Sequence, residues 1–176
     1  MKVPRWNITP ELSISRVLTG LWQVADMERN GRIDTTAAAI ALRPYVTAGF
    51  TTFDMADHYG SAEEIAAEIP TGEEVENVER FTKWVPEPGP TSRKGTLRAI
   101  QKSLKRLRTD CIDLLQFHTW RYGDPVYLEA LFYLQELKEK GLINQLGLTN
   151  VDTAHLNLIR KSGIEIVSNQ VCFSLL

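Results

Sequence analysis

Short apolar runs alternate with amphipathic stretches along this chain, and that alternation restricts the fold more than any other feature. The apolar runs read as strands over 14–18, 50–54, 81–83, 111–118, 143–149 and 164–173. The stretches between them read as helices over 34–48, 61–69, 92–108, 124–140 and 152–163. Several helices carry their own start and stop signals. Gly49 follows the first as a C′ residue. Ser61 and Glu64 form an S-x-x-E capping box, and Ala62, Ile65, Ala66 and Ile69 repeat at the spacing of one helical face. Leu97, Ile100, Leu104 and Leu107 share a side of the third helix. Asp124 and Pro125 suit the N-cap and first position of the fourth, whose apolar face is Tyr127, Ala130, Leu131, Leu134 and Leu137. Asp152 caps the fifth, which ends near Gly163. CIDLLQFH is almost continuously apolar, as expected for a strand buried on both faces. A polar acidic segment over 71–80 and a loop holding Pro86, Pro88 and Pro90 interrupt the pattern without supplying a linker.

Six strands separated by five helices imply a parallel α/β sheet with right-handed crossovers. Two closures satisfy that: an open doubly wound sheet, or a (β/α)8 TIM barrel. An open nucleotide-binding sheet usually carries G-x-G-x-x-G or G-x-x-x-x-G-K-[ST] after its first strand, and neither occurs here. A complete barrel typically needs ~250 residues, so 176 residues make an incomplete one, a single domain lacking strands seven and eight. Such a barrel would leave two uncovered edges, open to self-association. The last residues, among them Val171, Phe173, Leu175 and Leu176, would add apolar surface there.

In a β/α barrel, chemistry gathers at the C-terminal ends of the strands. Those ends hold Gly20, Leu21 and Trp22; then Asp54, with Asp57, His58 and Tyr59 in the loop behind; then Lys83 and Trp84; then His118, with Trp120 two residues on. The fifth ends at Thr149 and Asn150, and the sixth carries Asn169 and Gln170. Each has a plainer reading: Asp54 as a turn cap, Tyr59 as a rim tyrosine, Lys83 as a solvated cation, His118 as a structural histidine. Asp, Lys and His at three consecutive strand ends are harder to explain that way. His58 and His155 take no role in this reading, and the run Lys102, Lys105, Arg106, Arg108 reads as the wet face of a helix.

These same residues resemble the aldo-keto reductases. GFTTFDMADHYGSAEE carries the family's Asp and Tyr as Asp54 and Tyr59, FTK its Lys as Lys83, and IDLLQFH its His as His118. LKEKGLINQLGLTN and SNQVCFSLL are similar to the family's fifth and sixth strands, so the resemblance runs from about Leu12 to Leu176. It implies an NADPH-dependent oxidoreductase that reduces an aldehyde or ketone. It places Thr149, Asn150 and Gln170 at the nicotinamide carboxamide, beside Gly20, Leu21, Trp22 and Asp54 in the cofactor site. It also implies that most contacts to the cofactor's pyrophosphate and 2′-phosphate lie in strands seven and eight.

The chemistry follows from the residues as well. Carbonyl reduction needs an acid for the developing alkoxide. A phenol, with a pKa of about 10, suits neutral pH only if a cation lowers it. Lys83 would be that cation, Asp54 its partner, and His118 a donor to the carbonyl oxygen. Trp22 and Trp120 would wall the substrate pocket. Two other classes compete: a non-catalytic regulatory module or inactive remnant of the same barrel, and an unrelated lyase or isomerase using Lys83 as a nucleophile.

Composition narrows the partners. A net charge of -2 argues against nucleic acid and anionic membrane surfaces, and no apolar run approaches the ~20 residues of a spanning helix. No histidine pair has zinc spacing. Cys111 and Cys172 sit in apolar runs without a CxxC, which predicts buried free thiols and a reducing, cytoplasmic setting.

Overall fold

The computed structural model describes residues 3–26, 31–70, 78–87 and 89–174. Much of the acidic 71–80 segment, Pro88, Leu175 and Leu176 therefore lie outside the described residues. The chain opens with an antiparallel hairpin, β1 (Arg5–Thr9) and β2 (Leu12–Ser15). Then follow β3 (Thr19–Gly20), α1 (Thr35–Ala41), α2 (Arg43–Thr47), β4 (Thr52–Asp54), α3 (Ala62–Glu68) and β5 (Glu79–Trp84). After these come α4 (Arg93–Leu107), β6 (Ile112–Phe117), α5 (Val126–Glu139), β7 (Ile143–Thr149), α6 (Thr153–Lys161) and β8 (Ser168–Gln170). Strands β3 to β8 form one parallel six-stranded sheet in chain order, curled as part of a (β/α)8 barrel. Among the described residues, β3 and β8 each have a single neighbour.

The barrel expectation holds, and several local expectations change. Ile14 does not enter the first barrel strand. Pro10, whose fixed φ suits a turn, sends β2 back along β1, and only Thr19 and Gly20 pair with β4. The helix expected over 34–48 is two helices, because Pro44 lacks the N–H to continue the first and sits in the opening turn of the second. Six helices replace five for that reason. The α3 start is not a capping box: Ser61 makes no side-chain cap, and its N–H goes to Asp26 Oδ1 at 2.8 Å. The fourth predicted helix begins one residue late, with Pro125 at the N-cap and Asp124 Oδ1 accepting from Val126 N–H at 3.1 Å. The sixth strand keeps only Ser168–Gln170.

Other signals fall where expected. Ser92 Oγ caps α4 by accepting from Gly95 N–H at 3.1 Å. Asp152 Oδ1 accepts from His155 N–H at 2.9 Å and caps α6. Asp152→Ala is expected to cost about 0.5–2 kcal/mol, read as a lower urea midpoint at unchanged slope.

The sheet divides two cores. Outward-facing Phe53, Leu115, Phe117, Leu146 and Leu148 meet the buried faces of the helices. Inside the barrel floor, Phe81 and Leu114 pack with Leu12 and Ile14, so the hairpin plugs the N-terminal end. Arg5 secures the plug by pairing with Glu79 Oε1 at 2.6 Å. With the floor filled, the open end is the one where the strands terminate. Residues two apart share a face of a strand. Continuing inward from Phe81 and Leu114 thus brings Lys83, Gln116 and His118 to that open end.

Candidate active site

Asp54 ends β4 on the inner face, and Lys83 arrives beside it from β5. Lys83 Nζ lies 2.6 Å from Asp54 Oδ2 and donates to the Met55 carbonyl at 3.2 Å. The second carboxylate oxygen accepts from Gln116 Nε2 at 2.9 Å. Lys83 and Gln116 are register partners across β5 and β6, so the three side chains form one layer. Gly147 makes room for it: a Cβ there would lie 2.4 Å from Ser168 Oγ and 3.3 Å from Gln116 Cγ.

The loop after β4 brings Tyr59 over this layer. Lys83 Nζ is 5.5 Å from the Tyr59 ring centroid, and Trp22 packs edge-on against the same ring at 4.5 Å. His118, just past β6, stacks edge-on against Trp120 at 4.2 Å. Its Nδ1 contacts Thr149 Oγ1 of β7. Tyr59, Lys83 and His118 share a cavity of about 630 Å³ whose walls include Trp22, Trp120, Thr149, Asn150 and Gln170. Trp120 is 80% exposed at its rim.

Three expected site residues stand apart from that cavity. Asp54 lies behind Lys83 and does not line it. Gly20 is not in its wall, and Leu21 is fully buried in the helix-facing core, with its N–H given to the Asp54 carbonyl at 2.9 Å. The sequence reading also missed participants. Gln116 carries half of Asp54's hydrogen bonding; its position two residues after inward-facing Leu114 was a usable signal. His58 lines the cavity and its ring lies 4.8 Å from that of Tyr59. Cys172, expected to be buried, is exposed in the cavity wall, and both cysteines are free. Arg106 is no wet-face residue: it donates to the Asp57 carbonyl at 2.8 Å, and its place one turn after buried Ser103, at the edge of the apolar stripe, was a usable signal.

The electrostatics differ from the expectation in one respect. Burial pushes the Tyr59 hydroxyl above the ordinary phenol value, and the Asp54 carboxylate adds to it. Tyr59 is therefore a neutral phenol at pH 7, the protonated form an acid must have. Burial lowers Lys83, while Asp54 opposes that fall. Burial, with His58 and Lys83 nearby, lowers His118, so its ring is neutral at pH 7. The Nδ1 atom of that ring shares a hydrogen bond with the Thr149 hydroxyl. Thr149 thus has its hydroxyl committed to His118. Asn150 Oδ1 accepts from Cys172 N–H at 2.8 Å, and the Asn150 amide and the exposed Gln170 amide both line the cavity.

The curled parallel sheet thus brings a phenol, an ammonium and an imidazole to one apolar-walled cavity at the ends of its strands. The sequence matches the profile of the Aldo/keto reductase family over residues 16–176, and the chain belongs to that family. It is 28% identical over 171 residues to methylglyoxal reductase YeaE of Escherichia coli (strain K12), which covers 94% of this chain and 56% of the relative. Aflatoxin B1 aldehyde reductase member 2 of Homo sapiens is 33% identical over 129 residues, 70% of this chain and 36% of that protein. A thermostable aldo-keto reductase, Tm1743, solved with the inhibitor epalrestat, superimposes with a TM-score of 0.81 at 26% identity, covering 97% of this chain and 62% of that one. The chain spans about half the length of curated relatives such as the reductases YeaE and DkgA.

Proposed function

We propose that this chain carries the catalytic groups of an NADPH-dependent carbonyl reductase, with Tyr59 as acid and Lys83, Asp54 and His118 in support. The observation that carries the reading is the shared cavity of Tyr59, Lys83 and His118, with Asp54 bound to Lys83 at 2.6 Å. The cofactor, when bound, supplies the hydride. The Asn150 and Gln170 amides are suited to a carboxamide, and Thr149 stands beside them with its hydroxyl engaged by His118. His118 Nε2 donates to the carbonyl oxygen and polarises it. Tyr59 gives its hydroxyl proton to that oxygen as the alcohol forms, and Lys83 steadies the phenolate left behind. Water then restores the proton to Tyr59. Trp22 and Trp120 exclude solvent from one side of the substrate.

The Lys83-nucleophile reading loses support, because a Schiff-base lysine needs a free amine and Lys83 is tied to a carboxylate. The two free thiols accord with the cytoplasmic setting expected from the sequence, and no helix among the described residues is long and apolar enough to cross a membrane. The single-neighbour edges β3 and β8 are where self-association would occur, checked by light scattering across concentrations.

Titration with NADPH, followed by tryptophan emission and then by cofactor oxidation with methylglyoxal, tests the assignment. Saturable quenching with carbonyl-dependent oxidation is expected. Quenching without oxidation by any aldehyde or ketone favours the non-catalytic module. No quenching at all sinks both.

A further inference from the structure

The loop bearing Tyr59 leaves β4 and turns back along β5. Its inner edge is stitched by backbone hydrogen bonds, Met55 N–H to the Phe81 carbonyl at 2.8 Å and Asp57 N–H to the Lys83 carbonyl at 2.9 Å. Its other attachment comes from a different element. Arg106, near the end of α4, donates from Nη1 to the Asp57 carbonyl at 2.8 Å. The same guanidinium lies 3.3 Å from Glu63 Oε2 and 3.4 Å from Glu64 Oε1, both on α3. Glu63 is 1% exposed, and its Oε1 accepts from Thr82 Oγ1 at 2.7 Å. Thr82 immediately precedes Lys83 on β5.

One guanidinium and one buried carboxylate therefore tie together the strand holding Lys83, the loop holding Tyr59 and the helix that follows it. Burial raises the Glu63 carboxyl, while hydrogen bonds from Thr82, Ser103 and Arg106 oppose the rise. The guanidinium meets a carbonyl and two carboxylates through separate nitrogens held in one plane, a spread that a single ammonium nitrogen does not reproduce. The pattern is specific to Arg106. Arg93, on the same helix, pairs with Glu136 at 2.6 Å far from the loop, and Lys102 and Lys105 are exposed.

We propose that Arg106 is a positioning residue that acts through the Asp57 carbonyl and Glu63 to fix the Tyr59 loop over Lys83. It touches no reacting atom. The proposal rests on the reading of Tyr59 and Lys83 as the acid and its cation. Misplacing reacting groups by about 1 Å costs on the order of 10²-fold in rate, so loosening this anchor acts on kcat.

The test compares Arg106→Gln and Arg106→Lys with wild type and with Arg93→Gln as the control for loss of an α4 ion pair. In both Arg106 variants kcat is expected to fall by roughly 10- to 100-fold, with the NADPH dissociation constant unchanged. Amide exchange over residues 55–60 is expected to quicken while β6 and β7 keep their protection. Trp22 emission, set partly by its contact with Tyr59, is expected to shift. Arg93→Gln should leave all three as they are. Unchanged kcat with unchanged loop exchange overturns the proposal. So does a uniform loss of protection across the sheet with kcat per folded molecule intact, the signature of a purely structural residue. If wild type turns over no carbonyl, the reductase reading fails by itself, and exchange at 55–60 with Trp22 emission still decides whether Arg106 anchors the loop. If the single variants do not fold, Arg106→Met with Glu63→Gln removes both charges, leaves no buried carboxylate unpaired, and is read the same way.

Discussion

Tyr59→Phe is expected to lower carbonyl-dependent NADPH oxidation by roughly 10²- to 10⁴-fold while NADPH still quenches tryptophan emission. The change removes one oxygen and leaves the ring, which packs against Trp22 at 4.5 Å and His58 at 4.8 Å. Cavity shape and cofactor affinity are thus preserved while the proton source is lost. Burial and Asp54 both hold Tyr59 protonated, so wild type keeps its acid form through neutral pH. The rate falls only as pH rises through its elevated pKa or deprotonates Lys83, whichever comes first. The Phe variant has no Tyr59 limb. Steady-state kinetics over pH, with the fluorescence titration as control, check both points. A Phe variant that turns over within a few-fold of wild type would remove Tyr59 from the chemistry.

The sequence disclosed the barrel because its strands and helices are each locally consistent. The apolar run Ile112–Phe117 has no other stable use than a strand covered on both faces, and α5 shows one buried stripe, Tyr127 to Leu137. The four polar residues at strand ends were legible for a related reason: strand ends and barrel mouth coincide, so position along the chain gives position in space. What stayed hidden depended on geometry without a sequence period. The β1–β2 hairpin buries only Leu12 and Ile14, too little for a recognisable alternation. Pro44 was visible in the sequence, yet the apolar rhythm across it outweighed its missing N–H in the reading. Arg106 lies on the flank of the buried face of α4, one turn after Ser103, yet its charge led it to be grouped with Lys102 and Lys105, and the Asp57 carbonyl it meets comes from a distant loop. The sign of the Tyr59 shift was hidden too. It comes first from burial of the ring and then from the Asp54 carboxylate, itself engaged by Lys83, and no spacing rule provides either.

That engagement makes Asp54→Asn the sharper probe of the charged layer. Asp54 accepts from Lys83 at one oxygen and from Gln116 at the other. Asparagine offers one oxygen and one NH2, so its oxygen still accepts from Lys83 only if the Gln116 amide turns to present its own oxygen to the NH2. Lys83 also loses the negative charge that opposes its burial. The sign follows. With only desolvation acting, the ammonium pKa falls further, and the neutral amine appears at lower pH. Steps that need the cation beside the phenolate are then lost earlier as pH rises, so the alkaline limb of kcat moves toward neutrality. At pH 7 kcat is expected to drop on the order of 10²-fold, with partial recovery on acidification as Lys83 regains its proton. Breaking a buried pair also costs about 3–5 kcal/mol of stability, which a urea midpoint measures separately. Profiles of kcat against pH for both proteins decide the matter. A variant with wild-type rate and an unmoved alkaline limb would mean that Lys83 does not act as a cation held by Asp54.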